Sequence, residues 1–63
     1  MKKLVFKKVD DDYELEVRKD LTITLGKMYG VWTIYINDTK VADYIDYLKD
    51  AKEKALKIAN ALF

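Results

Sequence analysis

The 63-residue chain predicts an α+β fold: an antiparallel sheet of four strands, with a candidate fifth, and one C-terminal α-helix packed on one face. Three stretches carry that expectation. Tyr13-Glu14-Leu15-Glu16-Val17-Arg18 alternates strictly between apolar and polar residues, the period of a half-buried strand. Val31 to Ile36 reads V-W-T-I-Y-I, all β-branched or aromatic. Between residues 46 and 62, Leu48, Ala51, Ala55, Ile58, Ala59 and Leu62 recur at three- and four-residue steps. Lys49, Asp50, Lys52, Glu53, Lys54 and Lys57 fill the other side, the signature of an amphipathic helix.

The first strand is expected over residues 3–9, with Leu4 and Phe6 on one face and Val5 and Val9 on the other. Asp10-Asp11-Asp12 then reads as a turn, because short Asx side chains bond their own backbone and three like charges oppose regular structure. Residues 13–18 form the second strand, Tyr13, Leu15 and Val17 pointing inward. Lys19-Asp20 is a two-residue connection to the third strand, residues 21–25, where Leu and Ile face in and Thr faces out. Gly26 to Gly30 is expected to be a loop, since both glycines of the chain fall there. The fourth strand, 31–36, places Trp32, Ile34 and Ile36 on one face and Val31, Thr33 and Tyr35 on the other.

Beyond the Asn37-Asp38 turn the sequence fits two arrangements. Residues 40–44 form a short fifth strand and the helix starts near Asp46, or the helix starts near Thr39, since Val41, Tyr44, Ile45 and Leu48 also suit helical spacing. The strand is preferred because Asn-Asp is good hairpin chemistry. Asp46 is then the expected N-cap, and lysines further along suit the helix dipole. Glu53 and Lys57 form an i,i+4 pair in the favourable order. Trp32, Tyr13 and Tyr44 are expected in the core, Tyr29 and Tyr35 outside it.

Composition excludes several classes of function. The chain contains no cysteine and no histidine, so disulfides, thiolate or imidazole metal sites and the usual nucleophile–base pairs have no residues to build them. Its length allows one domain, and at 51% hydrophobic content it has the material for a packed core. Apolar runs fall well short of the ~20 residues a membrane span needs. Met1-Lys2-Lys3 resembles the start of a signal peptide, but the apolar stretch Leu4-Val5-Phe6 is too short for one. The expected location is the cytoplasm of a bacterial host, without membrane contact.

Twelve basic residues stand against eleven acidic ones, so the chain lacks the cationic excess of a protein that grips nucleic acid through phosphates. All the cations but Arg18 are lysines, and the chain has no proline; this bias suits an AT-rich genome. Gly26 and Gly30 do not form a phosphate-binding loop. Asp10, Asp11 and Asp12 lack the alternating spacing of a calcium loop. Asp43, Asp46 and Asp50 share a face only if that segment is helical, and helix-start electrostatics accounts for them without a ligand. No cofactor, metal or catalytic residue is expected.

Gly30-Val31-Trp32-Thr33-Ile34-Tyr35-Ile36, a turn, and Leu48-Lys49-Asp50-Ala51-Lys52 together resemble a pattern of small phage and mobile-element proteins. There a W-x-x-Y strand precedes a hairpin and a helix opening L-K-E-A-K. The arrangement is similar to the AP2-like N-terminal domains of phage-type integrases and covers about half the chain. The resemblance implies a small antiparallel sheet on one helix, with the face away from the helix lying in the DNA major groove. The chain departs from that pattern in adding an N-terminal strand and in lacking both an arginine-rich sheet face and a basic excess.

One helix covers one face of a sheet, so the other, partly apolar face is expected to be open to a partner. The leading expectation is a non-enzymatic protein-binding module, phage or mobile-element encoded, acting as an inhibitor or adaptor of a host protein. The candidate contacts are Lys3, Val5, Lys7, Arg18, Tyr29, Val31, Thr33 and Tyr35. Double-stranded DNA is the alternative partner, gripped by Lys3, Lys7, Arg18 and Tyr35. A homodimer through Val5, Val31 and Tyr35 is the third. Lysines of the first strand, Lys2, Lys3, Lys7 and Lys8, have a structural use as well, because edge lysines block edge-to-edge pairing.

Overall fold

The structure, a computed structural model, describes residues 5–62. Five strands follow one another as an antiparallel meander: β1 (Phe6–Val9), β2 (Asp12–Arg18), β3 (Leu21–Met28), β4 (Val31–Ile36) and β5 (Thr39–Ile45). Helix α1 (Leu48–Leu62) closes the chain and packs on one face of the sheet, against β3, β4 and β5. This is the α+β architecture expected, with the fifth strand present and the early-helix alternative excluded.

Alternation builds the covered face. Leu15, Ile23, Leu25 and Ile34 are fully buried and stack across the sheet in register, Leu15 opposite Ile23 and Leu25 opposite Ile34. Burial of each such side chain stabilises the fold by roughly 1.5–3 kcal/mol. From the helix come Ala51, Ala55 and Ala59, one i,i+4 stripe with no exposed surface. Their small side chains let the helix backbone settle close to Trp32 and its neighbours. Tyr13 meets Trp32 with ring centroids 6.0 Å apart. Lys52 lays its ammonium 4.7 Å from the Tyr13 ring and 5.6 Å from Phe6, closing the β1–β2 end of the core with an aliphatic stem and a cation–π contact.

Every connection between strands is two residues long, which fixes register tightly. Tyr29-Gly30 (φ 54° and 81°) and Asn37-Asp38 (φ 47° and 71°) both put two left-handed residues between paired strand ends, the type I′ geometry whose twist matches a hairpin. Asn37 does more than turn the chain. Its amide accepts from the Thr22 backbone N–H at 3.0 Å and donates to the Asp20 carbonyl at 2.9 Å, tying the β4–β5 turn to the β2–β3 turn.

Several expectations need correction. The Gly26–Gly30 loop does not exist: β3 runs through Gly26 to Met28, with Gly26 opposite Thr33, and only Tyr29-Gly30 turns. Asp12 belongs to β2, and the first turn is Asp10-Asp11. The Tyr47 carbonyl, not Asp46, stands at the helix cap, accepting the Ala51 N–H at 3.1 Å. Among the described residues the ion pairs are Arg18–Asp20 and Lys40–Asp43, so Glu53 and Lys57 do not meet. Leu62 is partly exposed at the helix end, whereas Leu56, not expected in the core, packs against it. Tyr44 is 82% exposed rather than buried, because β5 bulges. Asp43 and Tyr44 together stand opposite Thr33, between the pairs Ile34–Ala42 and Trp32–Ile45, and Tyr44 takes a left-handed φ of 58°. The extra residue turns its ring away from the core.

Candidate functional site

The face away from the helix is a mixed surface whose rows follow from the strand register. Lys7, Glu14, Thr24, Tyr35 and Lys40 form one row straight across all five strands. Beside it run Glu16 with Thr22, Gly26 with Thr33, and Met28 with Val31. Among the described residues the charges on this face are unequal: Asp12, Glu14, Glu16 and Asp43 against Lys7 and Lys40.

A groove of about 490 Å³ occupies the β3–β5 half of this face. Val31, Thr33 and Tyr35 of β4 are its floor, and Met28 and Tyr29 wall one end. Lys40, Asp43 and Tyr44 of β5 form the opposite side. Thr33 is only 5% exposed although it faces away from the helix, a measure of how far the walls rise around it. Its hydroxyl donates to Asp43 Oδ1 at 2.8 Å, so the one buried polar side chain of the described residues is satisfied. The backbone N–H of Tyr44 donates to the same oxygen at 2.8 Å, and Lys40 reaches Oδ2 at 3.3 Å. The Thr33 hydroxyl first and the Tyr44 amide next hold the Asp43 carboxyl below its ordinary value; burial opposes them, and Lys40 adds a lesser lowering effect.

Four of the expected contacts, Tyr29, Val31, Thr33 and Tyr35, meet in this groove. Val5 and Lys7 line a second hollow of about 310 Å³ over β1 and β2, together with Glu14, Glu16 and Thr22. Arg18 joins neither: it sits at the β2 bulge beside the turn, 3.5 Å from Asp20. Lys3 lies outside the described residues. Sequence patterning missed Met28, Lys40, Asp43 and Tyr44. The Tyr-Gly pair was the available signal: taken as a two-residue turn, it extends β3 and sets Met28 opposite Val31. The β5 bulge that brings Asp43 and Tyr44 to the groove has no comparable signal in V-A-D-Y-I.

Two exposed tyrosines flank the groove in left-handed backbone, Tyr29 at 96% exposure and Tyr44 at 82%. That conformation suits Gly or Asn far better than an aromatic residue. Neither ring is packed into the fold in return. Among the described residues no three acidic side chains gather as a metal site, and no helix is long and apolar enough to cross a membrane.

No protein-family model matches this chain, nor does any curated protein or solved structure.

Proposed function

We propose that the chain is a non-enzymatic protein-binding module that holds its partner on the open face of the sheet, centred on the groove between Met28 and Tyr44. The observation that carries this reading is the pair of exposed, left-handed tyrosines at the rim of a half-apolar groove. Large aromatic residues kept in costly backbone and left in water contribute nothing to the monomer, and they are the side chains that dominate binding energy at protein interfaces. Protein is preferred to duplex DNA because, among the described residues, carboxylates outnumber cations on this face, which disfavours a phosphate backbone. Face-to-face pairing of two copies, with β1 of one over β5 of the other, brings Lys7 toward Lys40 and so opposes itself. A module of this kind acts by occupying a site on its partner, as an inhibitor or adaptor. The composition directs the search to a low-GC bacterial host and its phages.

The test is affinity capture from such a lysate, with and without nuclease, using the natural chain and a Tyr29→Asn/Tyr44→Asn variant side by side. One stoichiometric protein partner is expected, retained after nuclease and at moderate salt, and lost with the variant. Capture that vanishes with nuclease, or that ignores the two tyrosines, contradicts the proposal.

A further inference from the structure

Gly26 lies inside β3, the sixth of its eight residues, where glycine weakens a strand, and nothing among the described residues requires it. Its φ lies outside the left-handed region that the turn residues occupy. A Cβ built there would stand 3.7 Å from Asp12 Oδ1 and 3.7 Å from Tyr35 Cε2, both ordinary contacts. A strand glycine without a conformational or steric reason marks a place where something from outside approaches the backbone closely. The flanks of the gap say what that is. On one side is a carboxylate that forms no ion pair among the described residues, and on the other an aromatic ring edge.

Taking the open face as the binding surface, we infer that the bare backbone of Gly26 is the seat of a cationic side chain from the partner. An arginine or lysine lies over Gly26 between the Asp12 carboxylate and the Tyr35 ring, and an apolar neighbour enters the groove at Val31 and Met28. A carboxylate beside an aromatic edge suits a long cationic side chain: the carboxylate takes the guanidinium or ammonium group through charge-assisted hydrogen bonds, and the ring edge packs against the aliphatic stem. The acidic excess among the described residues of the open face favours the same partner. Gly26 and Met28 are two residues apart on one strand, about 6.8 Å. An extended segment places alternate side chains at that same spacing, so the occupant is a strand-like stretch in which a basic residue and an aliphatic residue alternate with one between.

The probe is a capped pentapeptide, acetyl-Leu-Thr-Arg-Thr-Leu-amide, which offers the spacing in either chain direction, with the central Arg replaced by Gln or Glu in two controls. Each is titrated into the isotope-labelled full chain while the amide resonances are followed. The expected result is a saturable shift at Gly26, Met28, Thr33 and Tyr35 with the Arg peptide, binding about tenfold tighter than the Gln peptide. The Glu peptide binds weakest. Asp12→Asn removes the Arg preference, and Gly26→Ala abolishes the shift while its own spectrum stays folded. Equal binding of the Arg and Gln peptides overturns the cation seat yet leaves the groove as a binding surface. Unchanged binding by a folded Gly26→Ala chain overturns it too, as does the absence of any shift with all three peptides. Shifts in these amides that grow with protein concentration alone assign the face to a second copy and also overturn it. The open-face reading stands or falls separately, on capture by the tyrosine variant.

Discussion

Gly26→Ala separates what the fold needs from what binding needs. In a strand interior glycine destabilises by roughly 0.5–1 kcal/mol relative to alanine, because the unfolded chain loses more freedom on folding. At Gly26 the added methyl meets Asp12 and Tyr35 at 3.7 Å, so it gains contact without displacing either. The expected change is therefore a stabilisation of about 0.5–1 kcal/mol, or about 2–8 °C in melting temperature for a domain of this size. Urea unfolding followed by the fluorescence of Trp32, the chain's single tryptophan, measures it directly. The Ala chain should unfold at higher urea with an unchanged slope. A loss of about 0.5 kcal/mol or more would show that the sheet itself requires glycine there, and the inference that the gap is kept for a partner would collapse.

Ile34→Ala empties the centre of the core, where Ile34 has no exposed surface, and should cost about 2–5 kcal/mol in the same urea assay. That is a large part of the ~3–9 kcal/mol a domain of this length commands, so partial unfolding at room temperature is expected. Tyr29→Asn puts a residue suited to left-handed backbone at the β3–β4 turn and forms Asn-Gly, the best pair for this hairpin. It should stabilise the fold by up to about 1 kcal/mol while weakening partner capture, a trade that a merely structural tyrosine would not make. Asp43 is held below its ordinary value of 3.8 chiefly by the Thr33 hydroxyl. A carboxyl with a depressed native pKa adds stability that is present above its unfolded value and is lost as pH falls through the lower native one. Removing the donor in Thr33→Val should raise the Asp43 midpoint toward 3.8 and shrink that acid-side loss, read by carboxyl-carbon NMR titration from about pH 6 downward. An unmoved midpoint would show that the Thr33–Asp43 bond does not persist in solution.

Legibility in the sequence followed the strength of the local signal. Strict alternation from Tyr13 to Arg18 and the three-and-four spacing from Leu48 to Leu62 placed β2 and the helix to within two residues, because burial on one face imposes those periods. Asn37-Asp38 announced the β4–β5 hairpin through side chains that tolerate positive φ. Two features escaped. Glycine at 26 signalled a loop when it was a strand position with an unused Cβ site, and so Met28 was read out of the sheet. The β5 bulge goes with the bonds of Asp43 to the Thr33 hydroxyl on the neighbouring strand and to the Tyr44 amide, an arrangement that alternation does not encode. Half of the groove was therefore visible, in Tyr29 and the β4 residues Val31, Thr33 and Tyr35, and its β5 wall was not.

A partner seated on the open sheet face, and not on the helix, is sensitive to charge on one surface and indifferent to it on the other. Val31→Lys places a charge on the groove floor, and Lys54→Glu places one on the solvent side of the helix, where Lys54 is exposed. Both chains are titrated against the captured partner, with unfolding curves recorded alongside. Val31→Lys should lose affinity by at least about tenfold, as an interface anchor does, while remaining folded, and Lys54→Glu should bind as the natural chain does. The opposite pattern, with binding intact in Val31→Lys and lost in Lys54→Glu, would place the partner on the helix and refute the open-face assignment.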